Sequence, residues 1–75
     1  MPHVVVKMWP GKSEAQKQRL AEAITREVMD VFNYDEASVS VAMQEIPSKD
    51  WAAKVYRPDI LECPGRLYKK PGYTM

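Results

Sequence analysis

The sequence lacks most of the devices by which a short chain stabilises itself. It has 75 residues and a single cysteine, Cys63, so no disulfide can form within one chain. Its one histidine, His3, and Cys63 are the only soft metal ligands, too few for a structural zinc site. A chain this short buries only about 60% of its unfolded surface when it folds alone. We therefore expect it to associate with further copies of itself.

The sequence also lacks a large excess of either charge and any long apolar run. The 11 basic and 10 acidic residues leave a net charge of +1, whereas nucleic-acid binding calls for a strong basic patch. No apolar run approaches the ~20 residues of a membrane span, and the opening Met1-Pro2-His3-Val4 has no signal-peptide layout. We therefore expect a cytoplasmic protein that binds neither nucleic acid nor membranes and needs no metal or cofactor.

Three elements are indicated by the periodicity of the apolar residues. Residues 3–9 contain three consecutive valines, whose β-branched side chains suit a strand. Residues 38–46 alternate in polarity and predict a second strand. Between them, residues 14–32 carry one helical stripe of apolar side chains, preceded by a capping box at Ser13 and Gln16. The stripe consists of Leu20, Ile24, Val28 and Val31, with Ala21 and Phe32 beside it.

A strand, a helix and a strand in this order predict a βαβ unit with a right-handed crossover and parallel strands. The expected fold class is α+β, a β-α-β protomer in a single domain over 1–75, with a core over 2–51 and a C-terminal extension over 52–75. Two strands under one helix are too little to stand alone. Copies paired across a two-fold axis are expected to complete a larger sheet.

The C-terminal part of the chain gives a weaker signal. Asp50 is predicted to cap a short helix over 51–56. Beyond it, prolines are expected to divide the chain into short pieces, because proline has no backbone N–H and breaks helices. These prolines are Pro58, Pro64 and Pro71.

The second residue is the one whose position suggests chemistry. Cells normally remove a methionine that precedes a small residue, and loss of Met1 leaves Pro2 with a free secondary amine at the start of a strand. An α-amino group has a reference pKa of about 8. Apolar walls or a nearby cation disfavour its ammonium form. The amine then becomes a general base suited to neutral pH.

The order of these features resembles the 4-oxalocrotonate tautomerase family. The shared pattern is Met-Pro, an apolar strand, Gly-Lys-Ser at 11–13, a helix, and Ser-Val-Ser-Val at 38–41, and it covers residues 2–51. The ending Lys-Lys-Pro-Gly-Tyr at 69–73 resembles a branch of small bacterial tautomerases that act on phenylpyruvate-type enols. The resemblance implies that Pro2 is a general base that moves a proton between the oxygen and carbon ends of an enol.

The resemblance also implies where a substrate binds. The family holds a substrate carboxylate with an arginine in the loop after the first strand, where this chain has Lys12. A second family arginine, on the second strand, is replaced here by Ser40, which can donate one hydrogen bond. Trp51 matches an aromatic residue that forms an apolar wall. A monoacid with an apolar or aromatic end is therefore expected instead of a dicarboxylate. Further candidates are Trp9 and Met43 as lining, and Arg57 or Arg66 as the replacement cation.

Three functions fit this pattern. The first is enol–keto tautomerisation of a small 2-oxo acid with Pro2 as the base. The second is hydration or dehalogenation of small unsaturated acids with a protonated Pro2 as the acid, which the pKa of its amine would distinguish. The third is a non-catalytic oligomeric interaction module, which retention of Met1 would favour. His3 is interpreted as structural, and a homodimer is favoured over the hexamer of short family members.

Overall fold

The order of elements along the chain is strand, helix, strand, helix. A computed structural model describes residues 1–75. The main elements are strand β1 (His3–Met8), helix α1 (Glu14–Phe32), strand β2 (Ser40–Glu45) and helix α2 (Ser48–Trp51), which continues without a break into a π-helical segment (Ala52–Leu61). Two short 3-10 turns cover Glu36–Ser38 and Pro64–Arg66. No helix has both the length and the apolar composition that crossing a membrane requires.

The two strands form a parallel sheet. His3 lies opposite Ser40 at one end, and Met8 lies opposite Glu45 at the other. The predicted β-α-β arrangement with parallel strands is therefore confirmed. Because the strands run in the same direction, both amino ends lie at one edge of the sheet and both carboxyl ends lie at the opposite edge.

Helix α1 has the bounds that its sequence signals predict. The Ser13 hydroxyl accepts a hydrogen bond from the Gln16 backbone N–H at 3.1 Å, and the Gln16 side-chain oxygen accepts one from the Ser13 N–H at 3.0 Å. This is the predicted capping box, which satisfies two backbone donors that the helix leaves unpaired. Asn33 adopts a left-handed conformation with a φ of 60°, a common way to end a helix.

We expect Ser13→Ala to destabilise the protein by about 1 kcal/mol, because the first turn of α1 then loses its side-chain acceptor. Urea unfolding measures this difference, at one fixed protein concentration since association contributes to stability. Ser13→Asp is the matched control, because aspartate also caps helices. Equal loss of stability in both variants would contradict this role for the cap.

The core of one chain is small. Only Ile46, Val55 and Tyr56 are buried. Part of the apolar stripe predicted for α1 is exposed, with 68% of Val31 and 63% of Phe32 accessible. A single chain therefore leaves several large apolar side chains exposed to solvent.

Two predictions near the C-terminal extension are wrong. Helix α2 begins at Ser48 after Pro47, so Asp50 lies inside the helix and does not cap it. Pro58 lies inside the π-helical segment and does not end it. A proline ring normally clashes with the carbonyl four residues earlier. A π-helix instead pairs residues five apart, and this wider turn accommodates the ring.

Each face of the sheet is tied to a helical segment by an ion pair. On one face, Lys17 of α1 contacts Glu45 of β2 at 3.2 Å, in addition to Glu14 at 3.1 Å. Hydrogen bonds to the carboxylates of Glu14 and Glu45 raise the pKa of Lys17 above its usual 10.5. The stabilisation is therefore complete below pH 10.5 and is lost as the pH rises through the higher folded-state value. On the other face, Lys7 contacts Asp59 of the π-helical segment at 2.5 Å.

Candidate active site

Pro2 lies at the edge of the sheet where both strands begin. Its carbonyl oxygen accepts a hydrogen bond from the Ser40 backbone N–H at 3.2 Å, which extends the ladder between the strands by one residue. Pro2 is half-buried, whereas Met1 before it is 90% exposed. Removal of Met1 therefore takes no packed side chain from the fold, and the position of Pro2 is fixed through its carbonyl group.

The side chain of Ser40 lies beside that of His3. The two residues are opposite each other in the sheet, and His3 Nδ1 is 2.6 Å from Ser40 Oγ. Both side chains lie on the sheet face opposite α1. His3 follows Pro2 in the chain, and Ser40 reaches Pro2 through its backbone N–H. The sequence predicted a structural role for His3, because alternation along β1 directs its side chain away from those of Pro2 and Val4. The pairing register that brings His3 to Ser40 involves residues 37 positions apart.

Lys12 lies in the loop that follows β1, at the opposite edge of the sheet. It lines a small cavity of about 200 Å³ whose other residues are Met8, Gln16, Lys17, Leu20 and Met43. Lys17 is held by two carboxylates, but Lys12 forms no ion pair and no side-chain hydrogen bond. Lys12 is therefore the cation of this cavity that remains free to bind an anion.

Trp51 lies at the same edge as Lys12 but lines a different cavity. Its ring is perpendicular to that of Trp9, with 6.5 Å between the ring centroids. Its indole N–H donates a hydrogen bond to the Tyr73 hydroxyl at 3.0 Å. A cavity of about 500 Å³ is lined by Trp9, Trp51, Tyr73, Thr74 and Met75. The last three residues belong to the C-terminal extension, and the sequence pattern did not indicate that they line a cavity.

The predicted site residues thus fall into two groups within one chain. Pro2 and Ser40 lie at the amino edge of the sheet, and Lys12 and Trp51 at the carboxyl edge. The six residues of β1, at about 3.3 Å each, separate the two groups by about 20 Å. That distance exceeds the reach of a small substrate, so one chain does not bring the two groups together.

The remaining candidates do not bridge this distance. Arg57 and Arg66 are exposed and line none of the main cavities. The largest cavity, about 660 Å³, lies between α1 and β2 and contains none of the four predicted site residues. No three histidine, cysteine or acidic side chains cluster to hold a metal ion.

Comparison with known proteins identifies the class. The sequence matches the family described as tautomerase enzyme over residues 2–58. It is 45% identical over 73 residues to a protein of Xylella fastidiosa named probable tautomerase, covering 97% of this chain and 89% of that one. It is 38% identical over 76 aligned positions to the tautomerase PptA of Cronobacter sakazakii, covering the full length of both chains.

Two solved structures share the fold. The crystal structure of YwhB, a homologue of 4-oxalocrotonate tautomerase, matches with a TM-score of 0.60 and 33% identity over 61% of this chain and 75% of that one. DmpI from Helicobacter pylori matches with a TM-score of 0.59 and 32% identity over 63% and 79% of the respective chains. The chain belongs to the tautomerase family of enzymes. The predicted family, the α+β fold class and the enzymatic class are confirmed.

Proposed function

We propose that this enzyme catalyses enol–keto tautomerisation of a small 2-oxo acid with an apolar or aromatic end, such as phenylpyruvate. Pro2 is the general base once Met1 is removed. The observation that carries the proposal is the hydrogen bond from the Ser40 N–H to the Pro2 carbonyl at 3.2 Å. It holds the proline ring at the edge of the sheet, so that the lone pair of the free amine has a fixed direction.

Two copies of the chain supply one site in this proposal. When a two-fold axis pairs the sheets of two copies in antiparallel orientation, the strands of the second copy run in the opposite direction. The end of the sheet where the strands of one protomer begin then lies beside the end where the strands of the other protomer finish. Pro2 and Ser40 then meet Lys12 and Trp51 of the partner subunit. The exposed apolar side chains and the small core of one chain support such a homodimer. Pairing of strands also covers a free edge of each two-stranded sheet.

The reaction needs one proton to move from oxygen to carbon. The Pro2 amine takes the proton of the enol hydroxyl, and the O–H electrons form the carbonyl group. The carbon–carbon double bond then takes the proton back from the Pro2 ammonium at the neighbouring carbon. Lys12 of the partner subunit pairs with the substrate carboxylate. Its positive charge, together with apolar surroundings, keeps the Pro2 amine neutral before the reaction.

Removal of Met1 provides the direct test of this chemistry. Protein whose Met1 has been removed, as verified by mass spectrometry, should accelerate ketonisation of phenylenolpyruvate, followed by its ultraviolet absorbance. Protein that retains Met1 should not, because the nitrogen of Pro2 is then an amide without a basic lone pair. Equal acceleration by the two forms would overturn Pro2 as the base, and no acceleration by either form would favour the interaction module.

Ser40 is the position at which the chain departs most from the family pattern. We expect Ser40→Arg to raise kcat/KM for a dicarboxylate enol about tenfold or more, because a charge-assisted hydrogen bond to the second carboxylate is gained. Steady-state kinetics on 2-hydroxymuconate measures this change. Ser40→Gln is the matched control, since it is long and polar but uncharged. An equal gain in both variants would show that charge is not the cause.

Three further expectations belong to the same proposal. Residues 1–75 form one domain, with the core over 2–51 and the extension over 52–75. The protein works in the cytoplasm, where the single thiol of Cys63 stays reduced. Hydration or dehalogenation is the less favoured chemistry, because it needs a Pro2 that stays protonated beside the cation of Lys12.

A further inference from the structure

The end of the chain returns to the edge of the sheet that carries Trp51. Tyr73 lies 22 residues beyond Trp51 in sequence and accepts the hydrogen bond from its indole N–H. The Tyr73 ring also lies 5.7 Å from that of Tyr56, at an angle of 37°, and Tyr56 is one of the three buried residues of the chain. Two aromatic partners therefore fix the position of Tyr73.

The cavity between this tail and the two tryptophans has the size and chemistry of a site for an aromatic ring. Its volume of about 500 Å³ is well above the ~150 Å³ of an apolar cavity that admits benzene. No charged side chain lines it. The hydrogen bond to Tyr73 already satisfies the one indole donor of Trp51. The lining therefore offers an anionic group no opposite charge, whereas an aromatic ring packs against the indole rings.

The loop after β1 links this cavity to the free cation. Trp9 lines the cavity, and Lys12 follows it by three residues across Gly11. Gly11 has a φ of 122°, a conformation that side-chain-bearing residues rarely adopt. The sharp turn at Gly11 therefore has the apolar ring of Trp9 before it in the chain and the cation of Lys12 after it. These are the two features that an acid with an aromatic end requires.

We propose that Tyr73, Thr74 and Met75 close an aryl subsite against Trp9 and Trp51, and that this tail makes the enzyme prefer aryl over short alkyl 2-oxo acids. The inference rests on the proposed function and adds to it a specificity element outside the β-α-β core. The substrate ring enters between the tail and the tryptophans, and its carboxylate stays outside the cavity, toward Lys12.

Two variants test the subsite in the full-length protein. Tyr73→Ala removes the anchor of the tail, and Met75→Trp fills the cavity while leaving that anchor in place. Each should weaken binding of 3-phenylpropanoate, a non-reacting probe, by about tenfold, because ring packing is lost or blocked. Quenching of tryptophan fluorescence measures the Kd. The ratio of kcat/KM for aryl over alkyl enols should fall by the same factor.

Tyr68→Ala is the matched control, because Tyr68 precedes this tail in the C-terminal extension and is fully exposed. It should leave the Kd for the probe and the substrate ratio unchanged. Unchanged values in Tyr73→Ala and Met75→Trp, or equal losses for the aryl and alkyl substrates, would overturn the aryl subsite. The same probe titrated into protein that retains Met1 separates the two proposals. Tight binding there supports the subsite even if catalysis by Pro2 fails.

Discussion

Replacing Pro2 with alanine should lower kcat/KM for phenylenolpyruvate by about a hundredfold or more, the contribution typical of a positioned general base. Alanine also permits removal of Met1, so the variant keeps a free amino group at the same place in the chain. What it loses is the ring. A primary amine rotates freely, so its lone pair is no longer held toward the substrate.

The Pro2→Ala variant should lose activity without a change in fold. Pro2 is anchored through its carbonyl group, which alanine retains, so the circular dichroism spectrum and the association state should not change. Pro64→Ala is the matched control, because Pro64 is exposed and lies in a 3-10 turn outside the site. We expect it to keep the full rate. A wild-type rate in the Pro2→Ala variant with correct removal of Met1 would contradict the requirement for the proline ring.

Mixing two inactive variants should restore activity. If Pro2 comes from one chain and Lys12 from the other, a heterodimer of Pro2→Ala and Lys12→Ala has one intact site and one doubly altered site. Random exchange of subunits in a symmetric dimer makes half of the dimers mixed, so about 25% of the wild-type rate should return. A site built within one chain would give no recovery, because neither chain then carries both residues.

A control for this experiment uses two residues at the same edge of the sheet. A mixture of Lys12→Ala and Trp51→Ala should stay inactive. Each proposed site takes both Lys12 and Trp51 from the same chain, so every site in the heterodimer has one of these two residues replaced by alanine. Native mass spectrometry verifies that the subunits exchange. Exchange without recovery in the mixture of Pro2→Ala and Lys12→Ala would contradict the shared site.

Local signals allowed much of the protomer to be predicted from its sequence. Ser13 and Gln16 fix the start of α1 through contacts three residues apart, and the three valines mark β1. The parallel pairing follows from the strand–helix–strand order. These features depend on neighbours in sequence, where the spacing of residue types determines the geometry.

The site was predictable only in part, because its residues depend on distant contacts. The resemblance to the family suggested Pro2, Lys12, Ser40 and Trp51 one by one but did not show that they lie at two ends of the sheet. The contact of His3 with Ser40 depends on the register of the strands. The docking of Tyr73 on Trp51 depends on a helix that continues through Pro58, where the proline rule predicted a break.

The most direct measurement for the whole account is a titration of the Pro2 amine by ¹⁵N NMR in protein from which Met1 has been removed. The reference pKa of an α-amino group is about 8, and an apolar site beside a cation lowers it. We predict a midpoint below neutrality that coincides with the rise of kcat/KM with pH. A midpoint well above neutrality, or no link between titration and rate, would contradict proton transfer by Pro2 as a base.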